Sequence, residues 1–223
     1  MPRELPRPIT YLITSGKTTS TTTAGCVELS ALLSLVECAV AARVSFVQLR
    51  EKNLSAHTLY ELAAGAARIV SGSATRVLVN DRADIARASG CDGVHLSTRS
   101  LEAQSVRRTF GEEFLIGVSA HTLAEAHAAR EGGADFAVFG PVFDTPSKRA
   151  YGSPLGLEAL RGAARSLSPF PLVALGGISE GQVGEVMRAG AAGVAGIRLF
   201  ADRQNFAQTV HHIESLHDRH DAA

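Results

Sequence analysis

A chain of 223 residues, 45% of them hydrophobic, is long enough to bury one sizeable core. Its 22 lysines and arginines balance its 22 aspartates and glutamates, which excludes a global field that draws it to nucleic acid or to an anionic membrane. No apolar run approaches the ~18 residues of a membrane span.

The chain opens with a segment over 1–9 expected to be loose, and "MPRELPRPITYLITSG" is too short in apolar residues for a signal peptide. Cys26, Cys38 and Cys91 show no CxxC spacing, so the cytoplasm, where thiols stay reduced, is the expected compartment. "TYLIT" (10–14) reads as the first strand. The Ser/Thr-rich stretch over 15–26 that follows is read as a solvated insertion rather than a lid. A helix is expected over Val27–Arg43, then strand "FVQLR" (46–50) and a helix over Ser55–Val70, where Leu59, Leu62, Ala63 and Ala66 recur at helical spacing. Strand "RVLVN" (76–80), helix Ala83–Ser89, strand "GVHL" (93–96) and helix Leu101–Phe110 come next. Strand "LIGVS" (115–119), helix Leu123–Glu131, strand "FAVFG" (136–140) and helix Gly156–Leu167 continue the series. It ends with strand "PLVALG" (171–176), helix Gly181–Arg188, strand "GVAGI" (193–197) and helix Asn205–Arg219, with residues 217–223 as a loose end.

Eight strand–helix units in one series predict an α/β fold with a parallel sheet and helices outside, and eight is the number that closes a barrel. The expectation is a single TIM-barrel domain over 1–223; an open doubly wound sheet is the alternative. No G-x-G-x-x-G opens a helix after the first strand, so dinucleotide binding has no support.

In such a barrel the site lies at the carboxyl ends of the strands. Gln48 and Arg50 share parity and face the interior at the end of strand two, with Lys52 just above. Asn80 faces inward on strand three with Asp81 at its rim. Strand four supplies His95, strand five Ser119 and then His121, and strand six opens into Thr145, Ser147, Lys148 and Arg149. Gly176 and Gly177, with Ile197 and Arg198, end strands seven and eight, where barrels commonly cradle phosphate on backbone amides. Singly, the glycines read as a turn, Lys148 as a solvated lysine and the two histidines as structural. Gathered on one rim, these donors and cations point to a bound anion, more than one phosphate. Asp92, at the opposite end of strand four, is expected to be structural.

"QLREK", "NDRADIA", "DGVHL", "GVSAHTLAEA", "GADFAVFGPVFDTPSK", "LGLEAL" and "VALGGIS" stand here in an order that resembles the thiamine phosphate synthase family from about Tyr11 to Phe200. The resemblance implies a transferase that joins hydroxymethylpyrimidine diphosphate to a thiazole phosphate and releases pyrophosphate. It implies that Arg50, Lys52 and Lys148 hold the diphosphate, with Asn80 and Ser119 as donors. Gln48 would read the aminopyrimidine, and Thr145, Ser147 and the amides near Gly177 and Ile197 would hold the thiazole phosphate. Asp81 would bind Mg²⁺. A homo-oligomer is also implied.

Two positions depart from that pattern. After "GVHL" the family carries a second acidic metal ligand, where this chain has Ser100 in "STRSL"; near the end of strand eight it carries serine, where this chain has Arg198. The superfamily also contains the thiazole tautomerases, which lack that acid and for which His121 would be the acid–base group. A non-catalytic paralogue that binds a thiamine precursor is the remaining alternative.

Overall fold

The structure of the chain, a computed structural model, describes residues 4–145 and 153–221, the last four by backbone alone. Ser147, Lys148 and Arg149 lie outside the described residues. The strands are β1 (Ile9–Ile13), β2 (Phe46–Leu49), β3 (Arg76–Asn80), β4 (Gly93–Leu96), β5 (Leu115–Ala120), β6 (Phe136–Phe139), β7 (Leu172–Leu175) and β8 (Gly193–Gly196). They pair in parallel with their sequence neighbours, and β8 returns to β1 to close the barrel. The helices outside are α1 (Val27–Ala41), α2 (Ala56–Val70), α3 (Ala83–Ser89), α4 (Ala103–Phe110), α5 (Leu123–Glu131), α6 (Gly156–Leu167), α7 (Val183–Arg188) and α8 (Phe206–Asp221).

The expected boundaries hold to within two residues, and α7 is preceded by a 3₁₀ turn, Glu180–Gln182. That turn is closed by a capping box between Ser179 and Gln182, which satisfies the end amides without full α geometry. Ile9 already belongs to β1, Leu5 packs on the barrel interior, and α8 runs on to Asp221. No helix among the described residues is long and apolar enough to cross a membrane.

Parity along each strand sorts the apolar residues into two cores. Val47 and Leu49 face the helices, as do Val77, Val79, Val94 and Ile116. Ile9, Tyr11, Phe46, Leu78, Leu115, Phe136 and Val173 fill the barrel. Phe46 and Phe136 stack at 5.2 Å between centroids, and Tyr11 meets each edge-on at 5.7 and 5.6 Å. This aromatic layer fills the barrel interior below the carboxyl ends of the strands.

At Gly193 a Cβ would lie 2.0 Å from the carbonyl oxygen of Ile9, across the seam where β8 meets β1. Gly193→Ala is therefore expected to destabilise the fold by about 1–3 kcal/mol, a typical overpacking penalty. Gly162→Ala in α6, where nothing lies within 4 Å of the added carbon, should instead stabilise it by about 0.5–1 kcal/mol. Urea unfolding of both variants checks the pair; equal effects would contradict this account of the seam.

Candidate active site

The upper ends of β2 and β3 are joined by side chains. Gln48 Nε2 donates to Asn80 Oδ1 at 2.8 Å, and Asn80 Nδ2 donates to Asp81 Oδ2 at 2.8 Å. Asp81 has φ +60°, in the left-handed region that non-glycine residues seldom occupy. Such strain persists where the surroundings hold it, and here they do. The Asp81 amide donates to the His95 carbonyl at 2.9 Å, while its Oδ1 accepts from the Ser97 amide at 2.8 Å and from the Ser100 hydroxyl. Burial opposes the charge on Asp81, but hydrogen bonds from Ser100, Ser97 and Asn80 outweigh it and hold the carboxyl below its usual range.

Arg50 directly follows β2, and its amide donates to Thr14 Oγ1 at 2.8 Å. A residue absent from the sequence expectations, Glu51, explains its surroundings. Glu51 is only 3% exposed and accepts from the Gly16 amide at 3.1 Å and from the Thr18 amide and hydroxyl at 3.3 and 2.7 Å. The Ser/Thr-rich segment after β1 is thus tied to the end of β2, with Thr18 and Thr22 buried and most of its other residues exposed. Gly16, at φ +67°, approaches so closely that a Cβ would come within 3.3 Å of Arg50 Nη1. The opposite parity of residues 50 and 51 is the signal that could have found Glu51.

Below this rim His95 is buried, with Nδ1 3.1 Å from the Tyr11 hydroxyl and Nε2 2.9 Å from Ser119 Oγ. Ser119 is half-buried, further along the barrel axis toward the mouth. On the far side of the mouth Arg198 Nη2 donates to Thr145 Oγ1 at 3.2 Å, joining the segments after β8 and β6. Gly176 and Gly177 have φ +102° and +67°, and Cβ atoms there would lie 2.5 Å from Pro141 Cβ and from the Asp144 carbonyl oxygen. The segment after β7 is therefore pressed against the one after β6. His121 Nδ1 donates to the Gly140 carbonyl, linking the ends of β5 and β6, while Lys52 and Ile197 stand exposed.

The structure thus brings Gln48, Asn80, Asp81 and Ser100 into one hydrogen-bonded group, His95 and Ser119 into a second, and Thr145 and Arg198 into a third. Asp92 lies at the opposite end of the barrel, accepting from the Val77 amide at 2.8 Å and pairing with Arg76 at 3.1 Å. Arg82 pairs with Asp84, which leaves Asp81 to the site. Among the described residues no group of three or more His, Cys, Asp or Glu side chains gathers for a metal. The Asp81 carboxylate and the Ser97 and Ser100 hydroxyls are nonetheless hard oxygens, which suit a divalent cation that takes its remaining ligands from water and phosphate.

Burial pulls the His95 pKa down to about 4, with Arg50 adding to the effect and Asp81 opposing it. An unfolded histidine binds its proton near pH 6.5, so below that value the unfolded state binds more protons than the native one. The contribution of His95 is fully present above pH ~6.5 and is lost as pH falls toward about 4, by on the order of 3 kcal/mol. Unfolding free energies of the wild type and of His95→Gln, compared between pH 7 and 4, should converge as pH drops. Parallel curves would contradict the neutral, buried imidazole.

Known proteins resemble this chain over most of its length. Residues 11–200 match the model of the thiamine monophosphate synthase family. A relative from Geobacter sulfurreducens is 49% identical over 74% of this chain and 76% of its own length. The thiamine-phosphate synthase of Moorella thermoacetica is 42% identical over 73% of this chain and 77% of its own. The solved thiamine phosphate pyrophosphorylase from Pyrococcus furiosus superposes with a TM-score of 0.77 at 26% identity, covering 95% of this chain and 96% of that one. With the family model spanning most of its length, this chain belongs to the thiamine monophosphate synthase family.

Proposed function

We propose that this chain is a thiamine phosphate synthase. In this reaction the C–O bond between the pyrimidine methylene and the diphosphate breaks, its electron pair leaving on pyrophosphate. The lone pair of the thiazole ring nitrogen then forms the new C–N bond. Such a displacement needs no protein nucleophile; it needs the leaving group neutralised and two rings held in line. The observation that carries the reading is the hydrogen-bonded group Gln48, Asn80 and Asp81 at the carboxyl ends of β2 and β3, with Arg50 next after β2.

In this reading Arg50 and Lys52, with Lys148, hold the diphosphate, and Asn80 and Ser119 donate to its oxygens. A cation a few ångströms from a phosphate oxygen contributes about 4 kcal/mol before desolvation is subtracted, at an effective dielectric near 20. Gln48 orients the aminopyrimidine. Thr145, Ser147, the amides near Gly177 and Ile197, and Arg198 receive the thiazole phosphate, and His121 braces the rim between them. His95 takes its part through Ser119.

Asp81 and the Ser100 hydroxyl would hold Mg²⁺, which when bound neutralises charge on the diphosphate. One carboxylate with substrate oxygens and water is a common magnesium environment. The cytoplasm suits this chemistry and the three free cysteines.

Purified protein given both precursors and Mg²⁺ is expected to release pyrophosphate and form thiamine phosphate; no product at saturating Mg²⁺ would remove the synthase reading. Arg50→Ala should lower turnover at least about 100-fold, from the size of the lost contact. His121→Ala should lower it only a few-fold, since a tautomerase alone would depend on that ring. Ser100→Asp places a second carboxylate beside Asp81 and should reduce the Mg²⁺ concentration needed for half-maximal rate. An unchanged requirement would show that the metal does not sit there.

A further inference from the structure

Tyr11, His95 and Ser119 form one line of hydrogen bonds from the aromatic plug to the mouth, and its hydrogens can be ordered in only two ways. In the first, Tyr11 donates to Nδ1 and Nε2–H donates to Ser119 Oγ, leaving the serine hydrogen free. In the second, Ser119 donates to Nε2 and Nδ1–H donates to Tyr11, leaving the tyrosine hydrogen free. Tyr11 is fully buried between Phe46 and Phe136, and Nδ1 is the one hydrogen-bond partner of its hydroxyl among the described residues. The second order strands a donor in an apolar layer, which costs about 1–3 kcal/mol. The first moves the surplus hydrogen to half-buried Ser119, where water or a ligand accepts it.

We propose that Tyr11 and His95 are positioning residues that hold the Ser119 hydrogen toward the mouth, making this hydroxyl a standing donor to the departing pyrophosphate. The same order excludes a serine–histidine nucleophile, because Nε2 carries the hydrogen and its lone pair cannot take one from Ser119. Neither buried ring need touch substrate. The role of the donor rests on the synthase reading; the order of the hydrogens does not.

Nitrogen-15 spectra of the labelled, full-length wild type test the order directly, with the His95 signals identified by their loss in His95→Gln. The expected result is a protonated Nε2 and a bare Nδ1; a protonated Nδ1 overturns the proposal. Calorimetric titration with inorganic pyrophosphate and Mg²⁺ tests the role. Ser119→Ala is expected to weaken binding roughly 5–10-fold, the scale of one neutral hydrogen bond. Tyr11→Phe should also weaken it, yet add nothing in a Ser119→Ala background, because it acts only through that hydroxyl. An equal loss in both backgrounds overturns the proposal. If the wild type binds no pyrophosphate while its Nδ1 is bare, the synthase reading and the donor role fail together and the hydrogen order stands.

Discussion

Closing eight parallel strands into a barrel gives every second side chain to a narrow interior, and the architecture of the site follows from that constraint. The lower interior is filled by Tyr11, Phe46 and Phe136, which pack against one another. Polar side chains of the same parity must then either find partners or sit higher, where they meet solvent. Gln48 and His95 are buried and bonded, while their partners Asn80 and Ser119 are bonded and partly open. Each is bonded to a neighbour, and together they form the floor of the open end. Fold stability and ligand placement draw on the same few bonds.

Electrostatics above that floor is set locally, because the chain as a whole is neutral. Asp81 is the fixed negative charge, kept ionised by three donors and held in a left-handed turn. Next to Arg50 in sequence, the buried Glu51 faces the other way and ties down the segment after β1, whose Gly16 lies close to the Arg50 guanidinium. Ser100 meets Asp81 directly, so the position where the family resemblance calls for an acid is spatially the same one, filled by a hydroxyl. In the proposed function this exchange leaves the site less negative, and Arg198, bonded to Thr145 on the other side, shifts it further in the same direction. Both departures favour anionic ligands held by the protein itself.

Much of this was legible in residues taken one at a time. Alternation in "VQLR" separates Gln48 and Arg50 from Val47 and Leu49, and position on the strand assigns Asp92 to the far end, because parity and strand direction are local properties. What stayed hidden depends on contacts between distant segments. Glu51 looks like one more rim charge until its partners at Gly16 and Thr18, 35 and 33 residues away, are known. Tyr11 looks like an ordinary core aromatic, since nothing in "TYLIT" announces an imidazole 84 residues away. The contact of Ser100 with Asp81 likewise needs a turn that brings β3 and β4 ends together. The residues Ser147 and Lys148, prominent in the sequence, fall outside the described residues, so their part rests on chemistry and family resemblance.

The claim on which all else turns is that the polar floor and Arg50 receive a diphosphate at the mouth of the barrel. A crystal structure of the protein with inorganic pyrophosphate and Mg²⁺ tests it most directly. The account predicts pyrophosphate lying across the ends of β2, β3 and β5, within hydrogen-bond distance of Arg50 and Ser119, with the metal against Asp81. Pyrophosphate bound elsewhere, with Arg50 and Ser119 untouched, would contradict it.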